Sequence, residues 1–257
     1  MAVHFINMTR ADFLTSRFIS KYMSLENGLK TMKNHEFWFA NPAIWPDPFE
    51  RRFIEAQYHI GARSRKFAWK DRVYCACFTD IASNEAAWKV YTDKSLGVEF
   101  TINRVELLNA LDIYANNNPH HNVYIGKVEY MQTKFITKSD VRKIPFAQPA
   151  AGGYGTAAFK AKLLMLKRKA FSYENEIRVI VVRPKASPVK GITIPFADSN
   201  LMFENAILDP NMGDELTSIF KSIIPQAQYM NCPAGASQRV LKSQIYSVPS
   251  KASVIKA

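Results

Sequence analysis

Two glutamates and an arginine in one segment are the residues of this sequence whose types and spacing best suit chemistry. Segment 171–182 ends in nearly continuous β-branched residues, which predicts a buried strand. Side chains alternate along a strand, so Glu174, Glu176 and Arg178 would share one face, with successive members roughly 6.6 Å apart. One carboxylate of such a pair can stabilise a developing positive charge, and the other can take up a proton.

The same residues also have a purely structural interpretation. Glu176 can pair with Arg178, or with a lysine of a neighbouring strand, at the exposed start of the strand. Ion-pair networks are common in proteins and functional sites are few. The opposite face carries Ile177, Val179 and Val181, which are expected to enter the core. A carboxylate pair at the mouth of a cleft and an ion-pair network therefore both stay open.

The composition predicts a globular protein and favours an anionic partner, the alternative being that the positive charge serves solubility alone. The chain has 257 residues, of which 47% are hydrophobic, and this argues against wholesale disorder. Lys and Arg number 34 against 22 Asp and Glu, and the net charge of +12 favours nucleic acid or a phosphorylated ligand. We predict a single catalytic domain over residues 1–257, with a flexible glycine-containing loop at about 147–156.

The sequence predicts a cytoplasmic protein. It starts without the basic and apolar segments of a signal peptide, and no apolar run approaches the ~20 residues of a membrane span. Cys75, Cys77 and Cys232 are odd in number and are not spaced as zinc ligands. His120 and His121 are adjacent without a third ligand in view, so we predict no metal site.

Helices and short strands alternate irregularly along the chain, which predicts the α+β class rather than regular βαβ units. We expect a split or strongly bent mixed sheet flanked by short helices. Residues 157–170 predict a basic helix that leads directly into the glutamate segment. A short helix capped by Ser83 would carry Trp88 and Tyr91, three residues apart and hence on one helical face. Strands are predicted at 18–22, 36–40, 73–78, 97–102, 123–131, 191–194, 203–208 and 240–248, and further helices at 9–17, 24–33, 104–114 and 214–223.

Several motifs occur in one order along the chain: Lys21-Tyr22, Trp38-Phe39-Ala40-Asn41-Pro42, Asp47-Pro48-Phe49-Glu50, Cys77-Phe78, Trp88-x-x-Tyr91, Gly97-Val98-Glu99-Phe100, Lys167-x-x-x-Phe171 and Tyr173-Glu174-x-Glu176-x-Arg178. Together they resemble a bacterial family of uncharacterised cytoplasmic proteins, which is marked by an Asn-Asp-Pro-Phe-Glu loop and a Tyr-Glu-x-Glu-aromatic-Arg strand. The resemblance runs from about Ser20 to Tyr246. Pro46 stands where the family usually has Asn, and Phe171 where it usually has Trp.

More distantly, the layout resembles that of mono-ADP-ribosyltransferase toxins, which use NAD. In those enzymes an early strand supplies a dinucleotide-binding side chain, a middle strand ends in small polar residues, and a late strand opens with Glu-x-Glu. Tyr22 or Lys21 would fill the first place and Asn41 the second. Glu174 and Glu176 would fill the third. The resemblance implies an ADP-ribosyltransferase-like fold.

The chemistry of such a transferase suits several of these candidate residues. Cleavage of the bond between nicotinamide and ribose passes through an oxocarbenium-like state, which an ionised Glu176 would stabilise. Glu174 would orient or deprotonate the acceptor. Tyr22 would stack on nicotinamide, and Lys167 or Arg178 would contact the pyrophosphate. The candidates for binding NAD are Tyr22, Lys21, Asn41, Trp88, Tyr91, Lys167 and Arg178.

The sequence thus predicts an NAD-dependent mono-ADP-ribosyltransferase that acts as a bacterial toxin or phage-defence effector, with an antitoxin as a partner. The charge of +12 favours nucleic acid as the acceptor, RNA before DNA. Two alternatives stay open: a basic protein that binds nucleic acid without consuming NAD, and a metal-dependent nuclease toxin. The carboxylates that such a nuclease would gather are Asp47, Glu50, Glu174 and Glu176.

Overall fold

A mixed β-sheet runs through the computed structural model of this chain. The structure describes residues 3–55, 57–60, 63–66, 69–82, 84–92, 96–136, 153, 155–226, 240–243 and 245. The strands in chain order are β1 (His4–Ile6), β2 (Phe18–Ser24), β3 (Glu36–Ala40), β4 (Gln57–Ile60), β5 (Arg63–Lys66), β6 (Val73–Thr79), β7 (Gly97–Asn103), β8 (Asn122–Lys127), β9 (Glu129–Met131), β10 (Leu166–Arg168), β11 (Glu176–Val182), β12 (Gly191–Pro195), β13 (Phe203–Leu208) and β14 (Val240–Lys242).

Several helices begin at residues whose side chains cap the first turn. Thr9 and Asp12 form a reciprocal capping box before the first helix, and Ser24 caps the second. The predicted cap Ser83 lies outside the described residues, and Asn84 caps the helix of Trp88. The helices are α1 (Arg10–Leu14), α2 (Leu25–Asn34), α3 (Pro48–Glu55), α4 (Glu85–Tyr91), α5 (Arg104–Asn117), α6 (Thr133–Ile136), α7 (Ala157–Leu164), α8 (Ser199–Met202) and α9 (Asp214–Gln226), with 3₁₀ helices at Pro42–Ile44 and Lys169–Glu174.

Among the described residues, ten strands form the main sheet, which forks at β6. The path runs β1-β8-β11-β6-β2-β7-β13-β14, and β3 and β12 branch from β6. The fork arises because β6 pairs with Ser20 of β2 through Thr79 and with Ala40 of β3 through Cys75. Pairs β1–β8 and β13–β14 are parallel and the others antiparallel, which confirms the α+β class with a mixed sheet and flanking helices.

Strand β11 lies between β8 and β6, and all seven of its residues are buried. Ile177, Val179 and Val181 enter the larger core, as the alternation predicted. Ile180 and Val182 enter a second core on the other face, which α7 and α3 help to cover. Glu176 and Arg178 lie on that second face as well, so two charged side chains precede the apolar residues Ile180 and Val182 on the same side of the strand.

Some predicted elements were wrong, and the corrections change the site. The predicted strand 123–131 is two strands, Asn122–Lys127 in the main sheet and Glu129–Met131, which pairs with β10. Glu174 does not extend the strand, because Asn175 adopts a left-handed conformation (φ 40°) that ends the 3₁₀ helix of Glu174 and turns the chain. The predicted helix 157–170 ends at Leu164, because Leu166–Arg168 pairs with Glu129–Met131, and this pairing overrides helix propensity.

The flexible loop and the lack of a membrane-spanning segment were also predicted from the sequence. The predicted loop at 147–156 lies outside the described residues except for Gly153, Gly155 and Thr156. In the parts of the chain that the structure describes, none of the helices combines the length and the apolar character needed to cross a bilayer.

Candidate active site

A pocket of about 80 Å³ opens where β2, β6, the 3₁₀ helix before β11 and the start of β11 meet. It contains both glutamates of the Glu-x-Glu pair. Three of the seven predicted NAD-binding residues, Lys21, Tyr22 and Tyr91, also line it. The lining residues are Ser20, Lys21, Tyr22, Cys77, Phe78, Thr79, Tyr91, Glu174 and Glu176.

Glu176 is held as a carboxylate by two cations. Arg178 Nε donates to Oε1 at 2.7 Å, and its Nη2 donates to Oε2 at 2.9 Å. Lys167 Nζ donates to Oε2 at 3.0 Å. Burial alone would raise the pKa of Glu176, but Arg178 and Lys167 lower that pKa to about 2. This side chain therefore keeps its negative charge at any physiological pH.

Glu174 lies in a different environment although it is only two residues away. Its Oε2 accepts hydrogen bonds from Lys167 Nζ at 2.5 Å and from the Tyr91 hydroxyl at 2.6 Å. Burial raises the pKa of Glu174, and Glu176 adds to the rise while Lys167 and Tyr91 oppose it. Among the described residues, no hydrogen bond reaches Glu174 Oε1. Glu174 is thus the carboxylate of the pair that is suited to exchange a proton.

Lys167 stands between the two carboxylates because of a strand pairing. Its strand β10 pairs in parallel with β9, and Tyr130 of β9 lies opposite Lys167 in the register. The Tyr130 hydroxyl accepts a hydrogen bond at 2.9 Å from the backbone N–H of Glu176, which joins β9 to the start of β11. Burial alone would lower the pKa of Lys167, but Glu176 and its neighbouring carboxylates raise it. Its ammonium group therefore neutralises part of the pair.

Arg178 belongs to a buried ion network rather than to the pocket wall. It is 1% exposed, its Nη1 donates to the Leu164 carbonyl at 2.6 Å, and its Nη2 also pairs with Glu50 of α3. Its guanidinium group lies 4.7 Å from the Trp45 ring centroid. Since four of its five N–H donors are used, Arg178 is placed to hold Glu176 rather than to meet a pyrophosphate.

Lys21 is the cation of the pocket that retains unused donors. Its Nζ donates to the Cys77 carbonyl at 2.8 Å and lies 4.8 Å from the Phe78 ring centroid. Burial lowers the pKa of Lys21, and Glu176 opposes that change. An ammonium group has three donors, so two remain for an anionic ligand among the contacts of the described residues.

Two aromatic side chains from α4 take different places. Trp88 is 2% exposed and packs edge-on against Tyr22 with ring centroids 5.0 Å apart, so it supports the pocket wall from behind. Tyr91 is 38% exposed and covers Glu174 through its hydroxyl. The Tyr22 hydroxyl accepts a hydrogen bond from the backbone N–H of Asn84 at 2.9 Å, which ties β2 to the start of α4.

Asn41 is not among the residues that line the pocket. Its Nδ2 donates to the Lys70 carbonyl at 2.8 Å, and its Oδ1 accepts from the backbone N–H of Ala43 at 2.9 Å. Its own backbone N–H donates to the Lys190 carbonyl at 2.8 Å. The side chain therefore caps a 3₁₀ turn and joins two loops.

Sequence reasoning assigned no site role to Ser20, Cys77, Phe78 or Thr79. Thr79 Oγ1 donates to the Glu174 carbonyl at 2.6 Å, which fixes that residue beside the end of β6. Burial raises the pKa of the Cys77 thiol and Glu176 adds to the rise, so it is not a reactive thiolate. The motifs quoted above contain Cys77 and Phe78, but the register that sets Cys77 opposite Arg178 has no signal in the sequence.

The two carboxylates of the site lie in different environments, which shift their pKa values in opposite directions. Glu176 stays ionised and Glu174 binds a proton more readily, which is the pattern that acid–base sites use. Within the described residues, no three His, Cys, Asp or Glu side chains are arranged to hold a metal ion. Glu50 and Glu176 form ion pairs with Arg178, and Asp47 forms one with Arg168 at 3.2 Å.

Comparison with known proteins finds likeness in structure only. No protein-family model and no curated protein matches this chain. Two similar solved structures are Thermus sp. 2.9 DarT in complex with NAD⁺ and the same protein in complex with ADP-ribosylated single-stranded DNA. Each is 9% identical with a TM-score of 0.35; the matches cover 89% and 88% of this chain and 96% and 93% of the DarT chains. At that score the likeness assigns no function to this chain.

Proposed function

We propose that this chain is an NAD-dependent mono-ADP-ribosyltransferase whose acceptor is a nucleic acid. The observation that carries the proposal is the meeting of Glu174 and Glu176 in one pocket, where one is held ionised and the pKa of the other is raised. Such a pair suits a reaction that needs a fixed negative charge and a proton acceptor. Loss of nicotinamide from NAD followed by attack of an acceptor is a reaction of this kind.

Glu176 would act on the bond that breaks. Nicotinamide leaves as a neutral molecule from a cationic ring, so no general acid is needed, and positive charge develops on the ribose. The Glu176 carboxylate is 2% exposed and is oriented by Arg178 before the substrate arrives, so it needs no reorganisation to stabilise that charge. Arg178 would act through Glu176 as a positioning residue.

Glu174 would act on the bond that forms. Its Oε1 carries no hydrogen bond within the described residues, which leaves it free to accept a proton from an attacking hydroxyl or amino group. Lys167 and Tyr91 hold the other oxygen and so fix the direction of the carboxylate. Lys21, with unused donors in the same pocket, is the residue suited to meet a phosphate of NAD.

The pocket has to widen when NAD binds. Its volume of about 80 Å³ is below the roughly 300 Å³ at which small-molecule sites begin. Tyr91 is the exposed member of its lining, and its hydrogen bond to Glu174 lies across the site. We assign the opening to displacement of the Tyr91 ring, which would uncover Glu174 at the same time.

The proposal is tested by following the label of radiolabelled NAD. The purified protein is incubated with labelled NAD and with single-stranded DNA, RNA or a protein lysate, and the label is traced in each fraction. Label in a nucleic acid establishes the activity, and comparison of DNA with RNA identifies the acceptor. Intact NAD and unlabelled fractions would overturn the proposal, and cleaved nucleic acid in a magnesium buffer would favour the nuclease.

The toxin part of the proposal has its own test. A basic chain with a transferase-like pocket and no metabolic cofactor motif fits an enzyme that modifies cellular nucleic acid. Induced expression in a bacterial host without an antitoxin should stop growth, and the Glu176→Gln variant should not. Normal growth with wild-type protein present at a high level would contradict the toxin role.

Substitution of Tyr91 by Phe should shift the pH dependence of the transfer rate. Glu174 must be deprotonated to accept a proton, so transfer should rise with pH through its raised pKa. The Tyr91 hydroxyl lowers that pKa, so Tyr91→Phe should move the midpoint of transfer to higher pH. The measurement is the transfer rate against pH for both proteins. NAD hydrolysis, which depends on Glu176 with a pKa of about 2, serves as the reference and should keep its profile.

A further inference from the structure

Six cations gather at the end of the central strands opposite the pocket. Arg72 precedes β6 and Arg183 follows β11, and the Arg183 backbone N–H donates to the Arg72 carbonyl at 2.7 Å. Lys70 and Lys190 lie in the two loops that Asn41 joins. We call this set the basic edge; its members are Lys70, Arg72, Lys160, Arg183, Lys185 and Lys190.

The charges of the basic edge are not paired with carboxylates of the residues that the structure describes. Within the described ranges, none of the six cations has a carboxylate within the 4 Å of an ion pair. Asp71 is the acidic residue between Lys70 and Arg72 in the chain. Burial and then Arg72 lower the pKa of Lys160, and Arg183 adds to the lowering of the pKa of His121 by burial. Like charges held together in this way favour an anionic ligand.

An exposed tryptophan lies beside this edge. Trp38 of β3 is 50% exposed, whereas its neighbours Phe37 and Phe39 are buried in the core. Its ring packs so closely on Gly191 of β12 that a Cβ there would lie 2.2 Å from Trp38 Cζ2. The residue that precedes Gly191 in the chain is Lys190, so a member of the basic edge directly precedes the residue on which Trp38 packs.

We propose that Trp38 and the basic edge form a binding site for single-stranded nucleic acid, with Trp38 as a stacking surface for a base and the lysines and arginines as contacts for phosphates. Aromatic rings combined with a basic track are the general means of binding single strands. A duplex hides its base faces and could not use Trp38 in this way. The single strand is therefore the ligand that both observations fit.

The site is separate from the pocket but within reach of it. Strand β11 runs from Glu176 at the pocket to Val182 beside Arg183, and seven residues of strand span about 20 Å. A bound chain of several nucleotides could occupy the edge and reach the carboxylates. This inference deepens the proposed function by placing its acceptor, yet it concerns binding and needs no NAD.

The test is equilibrium binding of a fluorescent single-stranded oligonucleotide of about 12 residues, a length within the usual site sizes. The full chain is used without NAD, and the affinity is measured at several salt concentrations. Trp38→Ala should weaken binding by about 5- to 100-fold, and Trp38→Phe should recover most of the loss, because stacking needs an aromatic face. Binding that is the same in wild type and Trp38→Ala would overturn the stacking role.

The cations are tested through the salt dependence. The double variant Lys70→Gln/Lys190→Gln should lower the slope of log affinity against log salt by about 1.4, since each phosphate contact to a single strand contributes about 0.7. The control, Lys33→Gln/Lys221→Gln, removes two exposed lysines outside the basic edge and should keep the wild-type slope. The site would be overturned if the double variant and its control changed the slope equally, or if the wild type did not bind the oligonucleotide. If the wild type bound the oligonucleotide but transferred no label from NAD, the proposed enzymatic activity would be overturned and the binding site would stand.

Discussion

Replacing Glu176 by Gln should lower NAD turnover by about 10²- to 10³-fold, because it removes a preorganised negative charge while it keeps the shape of the side chain. The measurement is nicotinamide release by the folded protein, with the folded fraction determined separately. This correction matters because Glu176 is also bonded to Arg178 and Lys167, so the variant is expected to be less stable as well.

Glu50 provides the matched control for that experiment. It is 8% exposed and pairs with the same Arg178, but it does not line the pocket. Glu50→Gln should lower the free energy of unfolding and leave turnover per folded molecule near that of the wild type. If Glu50→Gln and Glu176→Gln reduced turnover equally, the two glutamates would be members of a structural network only, and the catalytic assignment would be wrong.

Replacing Glu174 by Gln should separate the two halves of the reaction. A general base typically contributes about 10²- to 10⁴-fold, so transfer to the acceptor should fall by that amount, whereas slow hydrolysis of NAD should keep most of its rate. Both rates come from one incubation with labelled NAD, through the label in the acceptor and the free ADP-ribose.

The alternative outcome for Glu174 is also specific. Lys167 bonds both carboxylates, so a purely electrostatic role of Glu174 would let the Gln variant change hydrolysis and transfer by the same factor. Parallel losses would therefore remove the general-base role and leave Glu174 as a residue that positions Lys167. The binding site at the basic edge does not depend on this result.

The sequence by itself determined most of the strands and the faces they bury. Strands Glu36–Ala40 and Phe203–Leu208 have the predicted bounds, and β11 ends at Val182 as predicted. The alternation of side chains along β11 correctly predicted that Ile177, Val179 and Val181 lie on one face. These features follow from side chains close in the chain, through strand periodicity and turn-forming residues, and a single sequence contains that information.

Only the tertiary structure decided what surrounds the two glutamates. Glu50 and Arg178 meet across 128 positions of the chain, and Tyr91 and Glu174 across 83. Lys167 stands between the carboxylates because β10 is a strand, although the sequence predicted a helix there. Strand pairing and register depend on partners that are remote in the chain, and local propensity yields to them. The residue types therefore indicated two carboxylates and several cations, but the fold alone determined which cation holds which carboxylate and which surface Trp38 exposes its ring on.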